Sequence, residues 1–303
     1  MSAKQLRAIA IGVAVLLILW GTSELWSRRK DSTTAHPRLR ALAAGEVDTV
    51  AITRGTDTVR LVKQSPGAWT VNGYPASQAG IDGLFHAVRD SVTPELVAES
   101  PSSFARMGVD SGHARLVRVV AGAKTLAQLL VGDPSPGYDA AYVRFPGDVR
   151  VYRWPGRLPT LVGRPVDDWR DRQIGAVVPE SIAAVEIQRA GKRLTLQRHG
   201  ARWVLSSGAP ADSAAVRRFL EHFRTVSAAG FATERQTDSL RLARPGRRVS
   251  VRGTGDRPLL ALTFDSTASG YWVRKPGGGT VYRLDLWQVD QLTPTEDALK
   301  RHS

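Results

Sequence analysis

Apolar and polar residues alternate with period two through most of the chain after residue 46, and two short stretches switch to the helical period. Val47, Val50 and Ile52 predict a first strand, a turn at Arg54–Gly55 follows, and Val59 and Leu61 predict a second. A third strand carries Trp69 and Val71. The pattern then returns in kind. Ile182, Val185 and Ile187 are followed by a turn at Ala190–Gly191, then Leu194 and Leu196, a turn at His199–Gly200, and Trp203 with Leu205. Glycine at such corners supplies the positive φ that tight hairpins require.

After each opening meander the period becomes helical. Ile81, Leu84, Phe85 and Val88 share one helical face, as do Val216, Phe219, Leu220 and Phe223, with Ser77 and Asp212 placed as N-caps. Closing strands follow around Leu116–Val120, Leu126–Val131, Ala141–Phe145 and Val149–Trp154. In the second half they fall around Val249–Val251, Leu259–Phe264, Tyr271–Arg274 and Thr280–Leu284. Trp203 follows Trp69 by 134 positions and Tyr282 follows Tyr152 by 130, a nearly constant offset that points to duplication with short loop deletions. The expected fold class is α+β: two related repeats, residues 47–174 and 175–303, each of antiparallel strands, a helix and antiparallel strands. Pattern alone leaves open whether they form two beads or one body.

The N-terminus is of another kind. Ala8–Trp20 is uninterrupted apolar sequence, preceded by Lys4 and Arg7 and followed by Arg28, Arg29 and Lys30. Extended to Trp26 it reaches the ~20 residues that cross a bilayer core, with Trp20 and Trp26 at one interface. Residues 1–30 thus read as a single-pass anchor. The alternative is a cleaved signal peptide, against which stand the bulky Leu25 and Trp26 and the lack of an Ala-x-Ala site. Residues 31–46 read as a spacer. The expected location is the bacterial inner membrane with the bulk of the chain on the periplasmic side.

Composition narrows the chemistry. The chain has no cysteine, which removes disulfides, thiolate metal sites and thiol nucleophiles. Its formal charge of +14 makes anionic polymers and lipid surfaces the physical candidates for a partner, although the arginines alternate along strands and do not form runs. Nucleic acid is not expected.

Each candidate site has a plain structural reading. Trp69 and Trp203 read as core anchors in preference to a stacking platform. Asp167, Asp168 and Asp171, interleaved with Trp169, Arg170 and Arg172, have a spacing that could hold a divalent cation, yet they read better as a salt-bridged interface or linker. The six histidines form no metal-binding spacing, and the glycine-rich RGTGDR and KPGGGT lack the lysine and hydroxyl of a phosphate loop. No catalytic, metal-binding or cofactor-binding residue is expected, and the chain is not expected to be an enzyme.

The closing strands of the first half carry a likeness. The run LAQLLVGDPSPGYDAAYVRFPGDVRVYRW, then LPTLV, then DDWRDRQI, resembles the bacterial family catalogued as domain of unknown function 4340. The features that match are Gly132, Tyr142–Arg144, Val151–Tyr152 and Trp169–Arg172. The resemblance implies an envelope-exposed, single-pass protein of the kind found with ABC-type transport or gliding-motility components, and it brings no catalytic residues. In the second half LDLWQVDQL stands where a Trp-Arg-Asp element would recur. The expected function is a non-enzymatic accessory or scaffold protein positioning a membrane partner such as transporter subunits. The alternative is a binding module for an anionic envelope polymer or lipid headgroup.

Overall fold

A computed structural model describes residues 42, 44–89, 93–238 and 246–300. Its first elements are β1 (Thr49–Arg54), β2 (Asp57–Ser65), β3 (Ala68–Val71), β4 (Tyr74–Pro75), helix α1 (Gln78–Arg89) and β5 (Glu95–Ala98). Next come β6 (Arg115–Ala121), β7 (Lys124–Pro134), β8 (Ala140–Arg144), β9 (Val151–Pro155), α2 (Leu158–Val162), α3 (Val166–Trp169) and β10 (Gln173–Gly175). After these stand β11 (Ile182–Arg189), β12 (Lys192–His199), β13 (Arg202–Leu205), α4 (Ser213–Glu221), β14 (Val226–Ser227), β15 (Gly230–Phe231) and α5 (Glu234–Asp238). The last are β16 (Arg247–Gly253), β17 (Pro258–Thr267), β18 (Gly270–Arg274), β19 (Tyr282–Leu284) and α6 (Leu286–Leu292).

The fold class departs from expectation. Strands make up 45% of the structure and helices 20%, so the protein is predominantly β and not a pair of α+β, strands–helix–strands repeats. The physical reason is that each meander goes on pairing sideways, strand against strand, until it forms a wide antiparallel sheet. The two amphipathic helices, 12 and 9 residues long, are small beside those sheets. Among the described residues no helix is long and apolar enough to cross a membrane, and the anchor expected over residues 1–30 lies outside them.

The chain divides into two compact units, Met1–Thr58 with Asp82–Gly163, and Val59–Ile81 with Arg164–Ser303. In the first, the strands run β1-β6-β7-β8-β9-β5, each antiparallel to its neighbour. Alternation sends Val50 and Ile52, Val117 and Val119, and Leu129 and Val131 to one buried face. There, with Leu84 and Phe85 of α1 and Leu158 of α2, most of them line an apolar cavity of only about 20 Å³. The loop before β6 covers the other face near β9, where Met107 and Val109 pack on Val151. Both Val151 and Tyr152 are therefore buried although they are neighbours in sequence.

In the second unit eight strands run β13-β12-β11-β16-β17-β18-β19-β15. The turn from β11 to β12 places Ala190 at φ 50° and Gly191 at φ 75°, the pair of positive values that a tight hairpin needs. The core face joins Val185, Ile187, Leu194, Leu196, Val249, Val251, Leu262, Phe264 and Val273 to Val216, Phe219 and Phe223 of the α4 region and to Val289 and Leu292 of α6. Phe219 and Phe223 meet edge to face at 5.3 Å. Asp212 caps α4, its carboxylate accepting the Ala215 N–H at 2.6 Å, and Ser77 Oγ accepts the Gly80 N–H at the start of α1.

Candidate functional site

The residues singled out by sequence, Asp167–Arg172, form a strap within the second unit. Helix α3 is four residues long, with Asp167 and Asp168 exposed on its first turn and Trp169 fully buried. Beyond it the backbone turns extended and pairs with the segment after β4. Trp169 O accepts the Ser77 N–H at 2.7 Å, the Asp171 N–H donates to Pro75 O at 2.8 Å, and Ala76 and Arg170 form an antiparallel bridge. On the other side Arg172 O accepts the Ala228 N–H.

Arg170 is the unusual member. It is 7% exposed, and its guanidinium carbon lies 3.8 Å from the Tyr74 ring centre and 3.7 Å from that of Phe231. A cation between two aromatic faces is attracted by both ring quadrupoles, and here both rings also shield it from water. Asp167 accepts from its Nη1 at 3.3 Å, while its Nε and the Trp169 indole N–H have no hydrogen-bond partner among the described residues. Phe231 also packs on Tyr282, whose phenol pKa is raised by burial and further by the Asp171 charge.

The three aspartates do not converge. Asp167 pairs with Arg170, Asp168 with Arg172 at 2.8 Å, and Asp171 accepts its neighbour's Gln173 N–H. The strap joins backbone segments and its carboxylates are engaged one by one. Trp69 is buried in the core, and Trp203 packs partly buried against the second-unit cluster. His113 pairs with Asp110 at 2.8 Å, and that bond lowers the Asp110 pKa. The glycine-rich pieces are turns, between β16 and β17 and between β18 and β19.

A surface that sequence reasoning missed lies on the face of the eight-stranded sheet opposite its core. Because Leu194, Val249, Leu262 and Val273 point inward, their neighbours Arg193, Arg248, Thr263 and Arg274 point outward. Register then aligns them. Arg193 sits opposite Gln188, Gln188 opposite Arg248, Arg248 opposite Thr263, and Thr263 opposite Arg274. The result is one row across five strands in which arginine alternates with a neutral polar residue. With strands ~4.8 Å apart, successive arginines in the row stand ~10 Å apart. At that distance two exposed charges repel by only about 0.4 kcal/mol in water, so the arginines tolerate this spacing.

The same face carries Arg202, Arg252 and Arg283 against the acids Glu186 and Asp265. Glu186 is shared by Arg193 and Arg252. Arg248 is exposed, and neither it nor Arg274 has an ion pair among the described residues. The signal was present in sequence as KRLTLQR, RRVSVR and YWVRK, where basic residues alternate with the core positions, but only the register places them in line.

A family description, Domain of unknown function (DUF4340), matches residues 69–245, more than half of the chain. No curated protein and no solved structure matches it.

Proposed function

The chain belongs to the family described as Domain of unknown function (DUF4340), and from that premise we propose a non-enzymatic, membrane-anchored accessory protein that holds an anionic polymer of the bacterial envelope. The observation that carries this reading is the row Arg193–Gln188–Arg248–Thr263–Arg274 on the open face of the second-unit sheet. An extended polyanion laid across the strands meets three guanidinium groups at a regular interval. Those of Arg248 and Arg274 are each able to grip a carboxylate or sulfate with two parallel N–H bonds, whereas the Nε of Arg193 already pairs with Glu186. The sheet fixes the spacing of the row through its backbone, so binding has only the arginine side chains left to order. The apolar run Ala8–Trp20 with its basic flanks supplies the anchor in this reading, and the remainder of the chain stands outside the membrane.

Retention on immobilised alginate, with neutral dextran as the control matrix, tests this. The full-length protein in mild detergent is expected to stay on alginate at low salt and to pass through dextran. The triple variant Arg193→Gln, Arg248→Gln, Arg274→Gln should lose at least about tenfold in affinity with an unchanged melting temperature. A charge-matched control, Arg54→Gln, Arg60→Gln, Arg106→Gln, removes three exposed arginines elsewhere and should retain most of the binding. Equal loss in both triples would mean that bulk charge, and not the row, does the holding.

A further inference from the structure

Helix α6 leaves part of its first turn in solvent. Leu286 and Trp287 are 55% and 60% exposed, while Val289 and Leu292 anchor the helix in the core. Beside Trp287 a cavity of about 210 Å³ opens between α6 and the C-terminal end of α4. Its polar lining comes from Gln288 and Gln291 of α6, Glu221 and His222 at the end of α4, Thr225 just after it, and Ser227 of β14.

Two of these groups are fixed by other bonds. Gln288 Oε1 accepts the Asp285 N–H and its Nε2 donates to Ser227 O at 3.2 Å, and Glu221 is clasped by Arg224 at 2.8 and 3.1 Å. They form a stationary polar wall. The indole of Trp287, the amide of Gln291 and the ring of His222 have no partner among the described residues, so three groups of different character are left open around one cavity. Burial lowers the His222 pKa, and the ring is therefore neutral at neutral pH, with one nitrogen to donate and the other to accept.

That combination selects a ligand class. A pyranose ring presents a face of C–H bonds that packs on an indole and a rim of hydroxyls, each a donor and an acceptor. An exposed aromatic face beside an open amide and a neutral imidazole offers such a ring a stacking surface together with hydrogen-bond donors and acceptors. No lysine or arginine lines the cavity, so its lining holds no cation to pair with a phosphate or an acidic sugar. A flat protein partner would leave the polar wall without matching groups. We infer that this cavity is a subsite for one neutral hexopyranose unit of a glycan chain. It is separate from the arginine row, since α6 packs on the core face of the sheet and the row lies on the other.

Isothermal titration of the full-length protein in detergent with maltohexaose, cellohexaose and chitohexaose, each in turn, tests the subsite. At least one should bind in the millimolar range or tighter. Trp287→Ala should weaken that sugar by at least about tenfold, and Gln291→Ala severalfold, with melting temperature and alginate retention both unchanged. Absence of heat with all three sugars at high millimolar concentration would overturn the inference. So would a Trp287→Ala protein that binds sugar as well as the parent. Alginate retention is read on the same samples, so failure of the subsite and failure of the polyanion reading are told apart.

Discussion

Arg170 combines burial with charge, and its surroundings decide what its loss costs. The guanidinium is held mainly by the faces of Tyr74 and Phe231, because its carboxylate partner Asp167 is 55% exposed at the side chain. An exposed acid contributes little to an ion pair, whereas two shielded cation–π contacts contribute about 1–2 kcal/mol each. Arg170→Ala should therefore destabilise the protein by about 2–4 kcal/mol and Asp167→Ala by less than about 1 kcal/mol. Arg170→Met keeps the apolar stem between the rings and should fall between them. Urea denaturation of the three variants ranks them. Equal losses for Arg170→Ala and Asp167→Ala would show that the ion pair and not the aromatic sandwich holds the strap. The sequence shows the cluster as a salt-bridged feature. It does not show Tyr74 or Phe231 as its partners, because they lie 96 positions before and 61 after Arg170 and nothing local links them.

At the scale of elements, alternation located the strands and hairpin turns well, since period two and glycine corners are local signals. Strands begin and end near the expected residues at β1, β11 and β12, and both N-caps, Ser77 and Asp212, act on the expected helices. The class did not follow, because the number of strands that pair sideways depends on backbone partners far apart in sequence. Glycines give a further test. Gly83 in α1 has open space where a side chain would go, so Gly83→Ala should stabilise by about 0.5–1 kcal/mol through helix propensity. Gly132 in β7 lies under the loop that covers β9. A methyl there would collide with Met107 O and meet Val109 Cγ1 at 2.7 Å, both on a buried segment. Gly132→Ala should cost about 1–3 kcal/mol, as overpacking does. Thermal melting of the two variants should move in opposite directions, and a neutral Gly132→Ala would mean that the loop yields freely.

Across the whole chain, charge was legible and its geometry was not. The sequence gives +14 and shows arginines alternating along strands, which reads as a solvated surface. Residues 188, 193, 248, 263 and 274 become one row only through four strand registers, none of which is written locally. The Trp287 cavity was hidden for a similar reason, since it is closed by the end of α4 and by α6, about 65 positions apart. The central claim is that the row, and not the overall positive charge, holds an anionic polymer. Its most direct measurement is the salt dependence of alginate affinity for the parent and for Arg248→Gln. Each cation that engages the polymer releases counterions and adds to the slope of log K against log salt, by about 0.7–0.9 where nucleic acid has been the polyanion. With three arginines engaged, Arg248→Gln is expected to make that slope shallower by about a third. A slope unchanged by this substitution, with only the overall affinity shifted, would contradict the account.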